Sequence, residues 1–354
     1  MKDEFARCID AATLRNLAEA ALQLCGVDPE ASRITATSLV EADLRGVGSH
    51  GIARLPWYVR RLRAGGDNPR PTIRVVSDGP TSAALDGDAG LGQVVAAHAM
   101  NIAIDKARAA GVGVVTVRNS HHFGSCAYWA EMALSHGMIG IAISNGGPNM
   151  APWGGVIPTT GNDPIGVAIP GGRQPISLDM ATSIVAGGRL DVAARAGQSI
   201  PEGLALDEFG EPTTDPVAGR KGSLLPIGGH KGYGLTVVFE VLAAVLSGAL
   251  VGRDVRWPAK DDEPMGIGHY FQAIRIDALL PLGEFTGRVD DLATQIRSAG
   301  TRSGFDRIRL PGEPEAEERV ERLAKGIPMP ASELEPLIAM AVDLGLDRYA
   351  HLGR

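Results

Sequence analysis

Between Ile73 and Ala196 the chain alternates short β-branched runs with helix-length segments, and no other feature restricts its fold as much. Such alternation points to an α/β core. The run 113–118 (GVVTVR) reads as a buried strand, as do 139–144, 166–170 and 175–179, the last two flanking a Gly171-Gly172 turn. Segments 94–110, 126–135 and 182–196 read as helices.

Helices are expected on both sides of this core. Segment 10–24 places Leu14, Leu17, Ala18, Ala21 and Leu22 on one face. Asp28-Pro29-Glu30 is a helix start, with Asp28 as N-cap, for a second helix running to about Arg45. A third helix, 52–64, ends at Gly65-Gly66, and 67–72, with Pro69 and Pro71, reads as a linker. Segment 201–230 reads mostly as loop, followed by a long helix from Tyr233, a strand near 270–276 and a helical tail from Glu315. The expected organisation is a helical N-terminal segment 1–72, an α/β core 73–276 and a C-terminal segment 277–354.

Composition excludes several classes. The net charge is −7 and the basic residues are scattered, which suits neither a nucleic-acid face nor a basic membrane-surface helix. Cys8, Cys25 and Cys126 form no CxxC pair, so neither a disulfide framework nor a zinc cage is expected. The first seven residues are mostly polar and lack the apolar run of a signal peptide, which makes the cytoplasm the expected address. The apolar stretch 235–251 contains Glu240 and is marginal in length for a membrane span, so it reads as a core helix. Glycine is the unusual count, 46 of 354. Its pairs mark turns or places where backbone approaches a ligand.

Polar clusters stand where these elements stop: Gly48-Ser49-His50-Gly51, Asn119 through Gly124, Ser144-Asn145, and Asp179 through Ser183. Ligands of open α/β sheets bind outside the carboxyl ends of strands, so this distribution favours a site. Reducing a 2-oxo acid needs a cation for the carboxylate and a proton donor for the carbonyl oxygen. Arg54 and His50, four residues apart, supply both if the third helix starts near Gly51, with Ser49 able to orient the pair. His121 and His122 point in different directions, so one at most serves the site directly. No HExxH occurs and no acid lies at metal-ligand spacing, so no metal is expected.

Gly228-Gly229-His230-Lys231 opens a helix and suits a phosphate, although it is not a P-loop. The GxGxxG spacing occurs at Gly46-Val47-Gly48-Ser49-His50-Gly51, but after a helix rather than a strand, and 87–92 has the wrong spacing, so an ordinary Rossmann dehydrogenase is not supported. A rival reading, a hydrolase with Ser49, His50 and Asp179 as triad, lacks a GxSxG elbow, and adjacent Ser and His rarely have the geometry to pass a proton. A dinucleotide-binding sensor or structural dimer without turnover is the non-enzymatic rival.

Taken in order, Ser49-His50-Gly51 with Arg54, Asn119 through Gly124, Gly161-Asn162-Asp163-Pro164, Asp179 through Ser183, His230 through Leu235 and Pro311-Gly312-Glu313 resemble the type-2 malate/L-lactate dehydrogenase family, also called sulfolactate-dehydrogenase-like. Its relatives include ureidoglycolate dehydrogenase, diketogulonate reductase and piperideine-2-carboxylate reductase. The resemblance covers roughly residues 10–345. It implies a non-Rossmann cofactor-binding sheet domain with helical N- and C-terminal segments, NAD or NADP as cofactor, a small carboxylate substrate and a homodimer. The reaction implied interconverts a 2-hydroxy acid of the malate, lactate, sulfolactate or ureidoglycolate type and its 2-oxo acid, with reduction of a cyclic imino acid as the alternative.

Carried over by the resemblance, His50, with Ser49 beside it, is the acid/base, and His122 a position of catalysis or nicotinamide contact. Arg54 and Asn162 are substrate-binding. Ser144, Ile176, Ser177, Leu178, Asp179, Met180, Ala181, His230, Lys231, Gly312, Glu313 and Pro314 are cofactor-binding. The chain departs from the family at Asp163, where an amide is usual, and at Arg189, where many relatives have Lys. Asp163 would disfavour an anionic substrate unless paired or turned away.

Overall fold

A computed structural model describes residues 7–257 and 260–353; the start of the polar N-terminal stretch lies outside these residues. Helices α1 (Ala11–Leu24), α2 (Pro29–Leu44) and α3 (Leu55–Ala64) form the N-terminal part. Asp10 caps α1 by accepting from the Thr13 amide at 2.8 Å. Asp28 occupies the N-cap position of α2 but makes no capping bond; its carboxylate lies 3.5 Å from Arg70. A three-residue strand, β1 (Arg7–Ile9), pairs with another near the C-terminus, Ile327–Met329, which brings the two ends of the chain together. Leu14, Leu39, Leu55 and Tyr58 share one apolar core with Leu337 and Met340 from the far end.

Next come β2 (Arg74–Asp78), β3 (Ser82–Asp86), α4 (Gly92–Ala110), β4 (Val112–Ser120), α5 (Cys126–Ala130), β5 (Met138–Ser144), β6 (Ile165–Ile169) and β7 (Ile176–Met180). Then follow α6 (Gly187–Arg195), β8 (Ala205–Leu206), α7 (Pro216–Lys221), β9 (Ser223–Leu224), α8 (His230–Glu240) and β10 (Ile267–Arg275). The C-terminal part is α9 (Leu282–Arg297), α10 (Glu313–Lys325), β11 (Ile327–Met329) and α11 (Ala331–Asp343).

Seven strands form one mixed sheet in the order β2-β3-β4-β10-β5-β6-β7. Only β3 and β4 run parallel, joined by the crossover helix α4. The centre is β10, where Tyr270 faces Thr116 on one side and Ile143 on the other. A largely antiparallel sheet cannot carry the Rossmann crossover, and the GxGxxG spacing at 46–51 follows α2 rather than a strand of the sheet. The glycine excess has a partial packing cause. A Cβ at Gly113 would lie 1.9 Å from the Ala103 carbonyl oxygen of α4, and one at Gly140 would lie 2.0 Å from that of Ala130 in α5. Both helices rest directly on the strands because those positions are bare.

Three expectations need correction. Segment 182–196 is helical only from Gly187, because Ile184 and Ile227 amides draw 182–184 into hydrogen bonds with the 225–227 stretch. The stretch 201–230 is mostly loop, as expected, and also holds α7 and the β8–β9 pair. The supposed linker is pinned: Asp67 is fully buried against Arg61, and Asn68 bridges to Gly90. The apolar helix, α8 with its π-helical continuation Val241–Val245, is not a core helix. Leu235, Val238, Val241, Val245 and Leu246 are exposed on it, since apolar periodicity cannot distinguish a chain's own core from a face awaiting a partner. Among the described residues no helix is long and apolar enough to cross a membrane.

Candidate active site

Between α2 and α3 the chain makes two tight turns, Gly48–His50 and Ile52–Arg54. Arg54 therefore ends the turn before α3 rather than lying inside that helix. Asp43, in the last turn of α2, reaches beneath this loop and accepts the Ile52 amide at 2.7 Å. A Cβ at Gly51 would sit 1.8 Å from Asp43 Oδ1, so the glycine of Ser49-His50-Gly51 makes room for the carboxyl group. Burial pushes the Asp43 carboxyl up to about 7, against the lowering effect of the Ile52 amide.

The loop presents three groups together. Ser49 Oγ lies 2.9 Å from His50 Nδ1, close enough to orient the ring, although adjacent Ser and His rarely meet in this way. Arg54 Nε donates to the Ser49 carbonyl at 2.6 Å. The second half of the site comes from the end of β4, where Asn119 takes a positive φ of 54° and turns the chain. His121 and His122 then diverge. His121 is fully buried, 3.3 Å from Asp67. His122 stacks on His50, with centroids 5.4 Å apart and planes 20° apart.

Tyr58 fixes His122. Its hydroxyl lies 2.6 Å from His122 Nδ1 and accepts from Gln93 Nε2 at 2.8 Å. Trp57 and Trp257 wall the recess, each with its ring centroid 5.9 Å from the Arg54 guanidinium carbon. Trp257 also lies 5.8 Å from His122. Sequence reasoning missed Trp57, Tyr58, Gln93, Asp43 and Trp257. Trp57 and Tyr58 had a signal, since i+3 and i+4 from Arg54 share its helix face; Trp257 had none.

His50, Arg54 and His122 are half-buried: protein crowds them, yet the recess still admits solvent. Burial pushes His50 down to about 3, and the Arg54 guanidinium adds to the effect. Burial, Arg54 and His50 hold His122 well below the usual histidine range. Both rings are therefore neutral near pH 7. Among the described residues no carboxylate pairs with Arg54. A desolvated guanidinium without a counter-ion is a ready anion site.

The remaining residues lie in other settings. Asn162 accepts from Asn149 at 3.2 Å and approaches Ser183 at 3.4 Å, while its carbonyl takes the Thr182 amide. Ser144 is buried in the sheet, 3.0 Å from His269 Nδ1. Asp179 accepts from Ser125 and from the Ala127 amide, so the carboxylate that a hydrolase triad requires is held at the start of α5. Ile176, Leu178 and Met180 share the edge strand β7 with Ser177, and Ala181 follows. Ser177 and the Gly312-Glu313 start of α10 line a cavity of about 1020 Å³, bordered also by Arg297, Arg307 and Arg319. Pro314 is exposed beside it, and Arg189 is exposed on α6. His230 and Lys231 are exposed at the start of α8, after two left-handed glycines. Among the described residues no group of side chains is arranged to hold a metal ion.

Residues 9–338 match the sequence profile of a family described as malate/L-lactate dehydrogenase. An L-sulfolactate dehydrogenase of Methanocaldococcus jannaschii is 44% identical over 85% of this chain and 87% of its own. A malate dehydrogenase of Pyrococcus abyssi is 41% identical over 91% of this chain and 90% of its own. The solved sulfolactate dehydrogenase of M. jannaschii superposes with a TM-score of 0.91, covering 96% of this chain and 98% of that one at 41% identity. Together with the fold and the recess, these likenesses define a 2-hydroxy acid dehydrogenase. The chain belongs to the malate/L-lactate dehydrogenase family.

Proposed function

We propose that the enzyme interconverts a small 2-hydroxy acid, of the malate, lactate, sulfolactate or ureidoglycolate type, and its 2-oxo acid, with NAD or NADP as redox partner. The observation that carries this reading is Arg54, a crowded guanidinium with no carboxylate partner among the described residues, beside the neutral imidazole of His50. Arg54 holds the substrate carboxylate. With Ser49 on Nδ1, the Nε2 of His50 is the nitrogen left to meet the 2-oxygen. Neutral His50 takes the hydroxyl proton during oxidation. During reduction His50 must carry a proton, and the substrate carboxylate favours this by offsetting the repulsion from Arg54. His122, held by Tyr58, supports the His50 ring from beneath.

The residues present fit a nicotinamide dinucleotide. The cavity at Ser177 and Gly312 has the size of a small-molecule pocket, about 300–1,000 Å³, and a Cβ at Gly312 would approach Ser177 to 2.8 Å. Gly228 and Gly229 turn the chain into the N-terminus of α8, where backbone amides and Lys231 suit a phosphate. Ser177, Gly312, Glu313, His230 and Lys231 would hold the cofactor, which when bound accepts or supplies the hydride at substrate C2.

A homodimer belongs to this reading. The exposed apolar face of α8 and its π turn lies in a chain that also exposes Trp153, Val156 and Ile157. A patch of this kind suits a second copy. The test of the function is a panel of 2-oxo and cyclic imino acids, each assayed with NADH and NADPH by nicotinamide absorbance. Oxidation of the cofactor by a 2-oxo acid supports the reading, and its absence across the whole panel refutes it.

A further inference from the structure

We propose that Asp163 and Glu240 share one proton, and that this buried acid pair is a positioning device for the aromatic wall of the active site. Asp163 precedes β6 and is fully buried; Glu240 closes α8 and is 5% exposed. Asp163 Oδ1 accepts the Gly146 amide at 3.1 Å. Glu240 Oε1 accepts the Gly252 amide at 2.8 Å and lies 3.4 Å from Asn145 Nδ2. The other oxygens, Asp163 Oδ2 and Glu240 Oε2, are buried and find no donor among the described residues. The two carboxyl groups lie within hydrogen-bonding reach of each other.

If both were ionised, two acceptors would face each other in a buried site, which is strongly unfavourable. One proton on Asp163 satisfies both oxygens, because its O–H can donate to Glu240. Burial and the neighbouring Glu240 charge hold the Asp163 carboxyl well above the usual range. Glu240 is the charged group facing it; the Gly146 amide donates to Asp163, and the Asn145 side chain and the Gly252 amide lie on Glu240.

The pair is mechanically joined to the recess. Asn145 also donates to the Leu250 carbonyl at 3.0 Å and accepts the Gly268 amide at 2.8 Å, which fixes the end of β5. At Gly147 a Cβ would fall 2.0 Å from Trp257 Cβ, so this backbone supports the tryptophan that borders Arg54 and His122. Proton loss would drive the two carboxylates apart and disturb the loop behind Trp257. A shared proton also answers the question raised by a carboxylate next to Asn162: it presents no second negative charge to an anionic substrate.

The catalytic consequence rests on the proposed function, whereas the proton can be read without it. Infrared difference spectra at neutral pH, the full chain against Asp163→Asn and against Glu240→Gln, are expected to show a protonated-carboxyl band lost in each variant; Asp43, which also titrates near 7, is common to all three and cancels. In the wild type, kcat/KM for oxidation of the 2-hydroxy acid, the direction that uses neutral His50, should fall on the alkaline side. Asp163→Asn, whose amide donates without titrating, should move that fall up by about one pH unit or more while keeping neutral-pH turnover within about threefold. Asp163→Ala should lower kcat about tenfold or more, as expected when a buried partner is left unpaired. If Asp163→Ala does not fold, Asp163→Asn carries the test. Absence of the band in the wild type, or its survival in both variants, overturns the shared proton. A band that behaves as expected with an unmoved alkaline limb overturns the positioning role. Should no 2-hydroxy acid be turned over, an alkaline transition in tryptophan emission that Asp163→Asn abolishes supports the proposal, and one unchanged by that substitution contradicts it.

Discussion

The imidazole of His50 stacks on that of His122 at 5.4 Å, and each ring has its Nδ1 engaged by a different hydroxyl, Ser49 for His50 and Tyr58 for His122. Two rings this close cannot both be charged in a crowded recess, so protonation of one opposes protonation of the other. The asymmetry lies in their surroundings. His50 shares a loop with Arg54, whereas His122 is tied through Tyr58 to Gln93 on α4.

Removing the tie should show its value. Tyr58→Phe loses the hydroxyl between His122 and Gln93 and should lower kcat about tenfold, the scale of one net hydrogen bond in a buried network. Steady-state kinetics alongside a melting curve check this. An unchanged kcat would remove Tyr58 from the account.

Arg54→Lys keeps the charge but loses the planar fork. KM for the carboxylate substrate should rise about tenfold or more, with a smaller change in kcat. Equal KM values for the variant and the wild type, across every active substrate, would contradict the carboxylate role.

Gly51→Ala would place a methyl group where Asp43 Oδ1 now sits, 1.8 Å from the ideal Cβ position. The loop or the carboxyl must move, at about 1–3 kcal/mol for overpacking, and the Ser49-His50 geometry moves with it. Expected results are a lower Tm and a large loss of turnover. Wild-type values for both would show that the close approach is unimportant.

Asp43 supplies a pH dependence with a definite sign. Its carboxyl titrates near 7 in the folded chain and at the ordinary value of 3.8 when unfolded. Folding therefore favours the protonated form: that stability is fully present below 3.8 and is lost as pH rises through about 7. Over that window the loss is on the order of a few kcal/mol. Asp43→Asn should flatten the stability profile from pH 4 to 8, measured by denaturant unfolding. An identical slope in the wild type and the variant would count against the buried-acid assignment.

Much of this site was legible in the sequence because it is local. His50 and Arg54 lie in one short loop, and Gly51, flanking the histidine, marks a close approach whose cause, Asp43, is itself only eight residues away. The α/β alternation located β4, β5, β6 and β7 because their β-branched runs are bounded by glycines and polar residues. The order of the sheet was not legible, since β10 reaches its centre from far along the chain, and nothing in its composition says which strands it will join. Trp257 and the Asp163–Glu240 pair were hidden for the same reason: their meaning depends on a fold that brings the ends of β5, β6 and α8 together. The apolar run of α8 was read as core because hydrophobicity reports a need for cover without naming the surface that provides it.

The most direct test is the turnover of His50→Ala with the best substrate of the panel, followed in both directions across pH. A loss in kcat of about 10² or more is expected, the typical contribution of a general acid/base. In the wild type, reductive kcat/KM should fall with rising pH, because reduction needs the protonated imidazole that burial disfavours. Turnover of His50→Ala equal to that of the wild type, with the same pH dependence, would contradict the account.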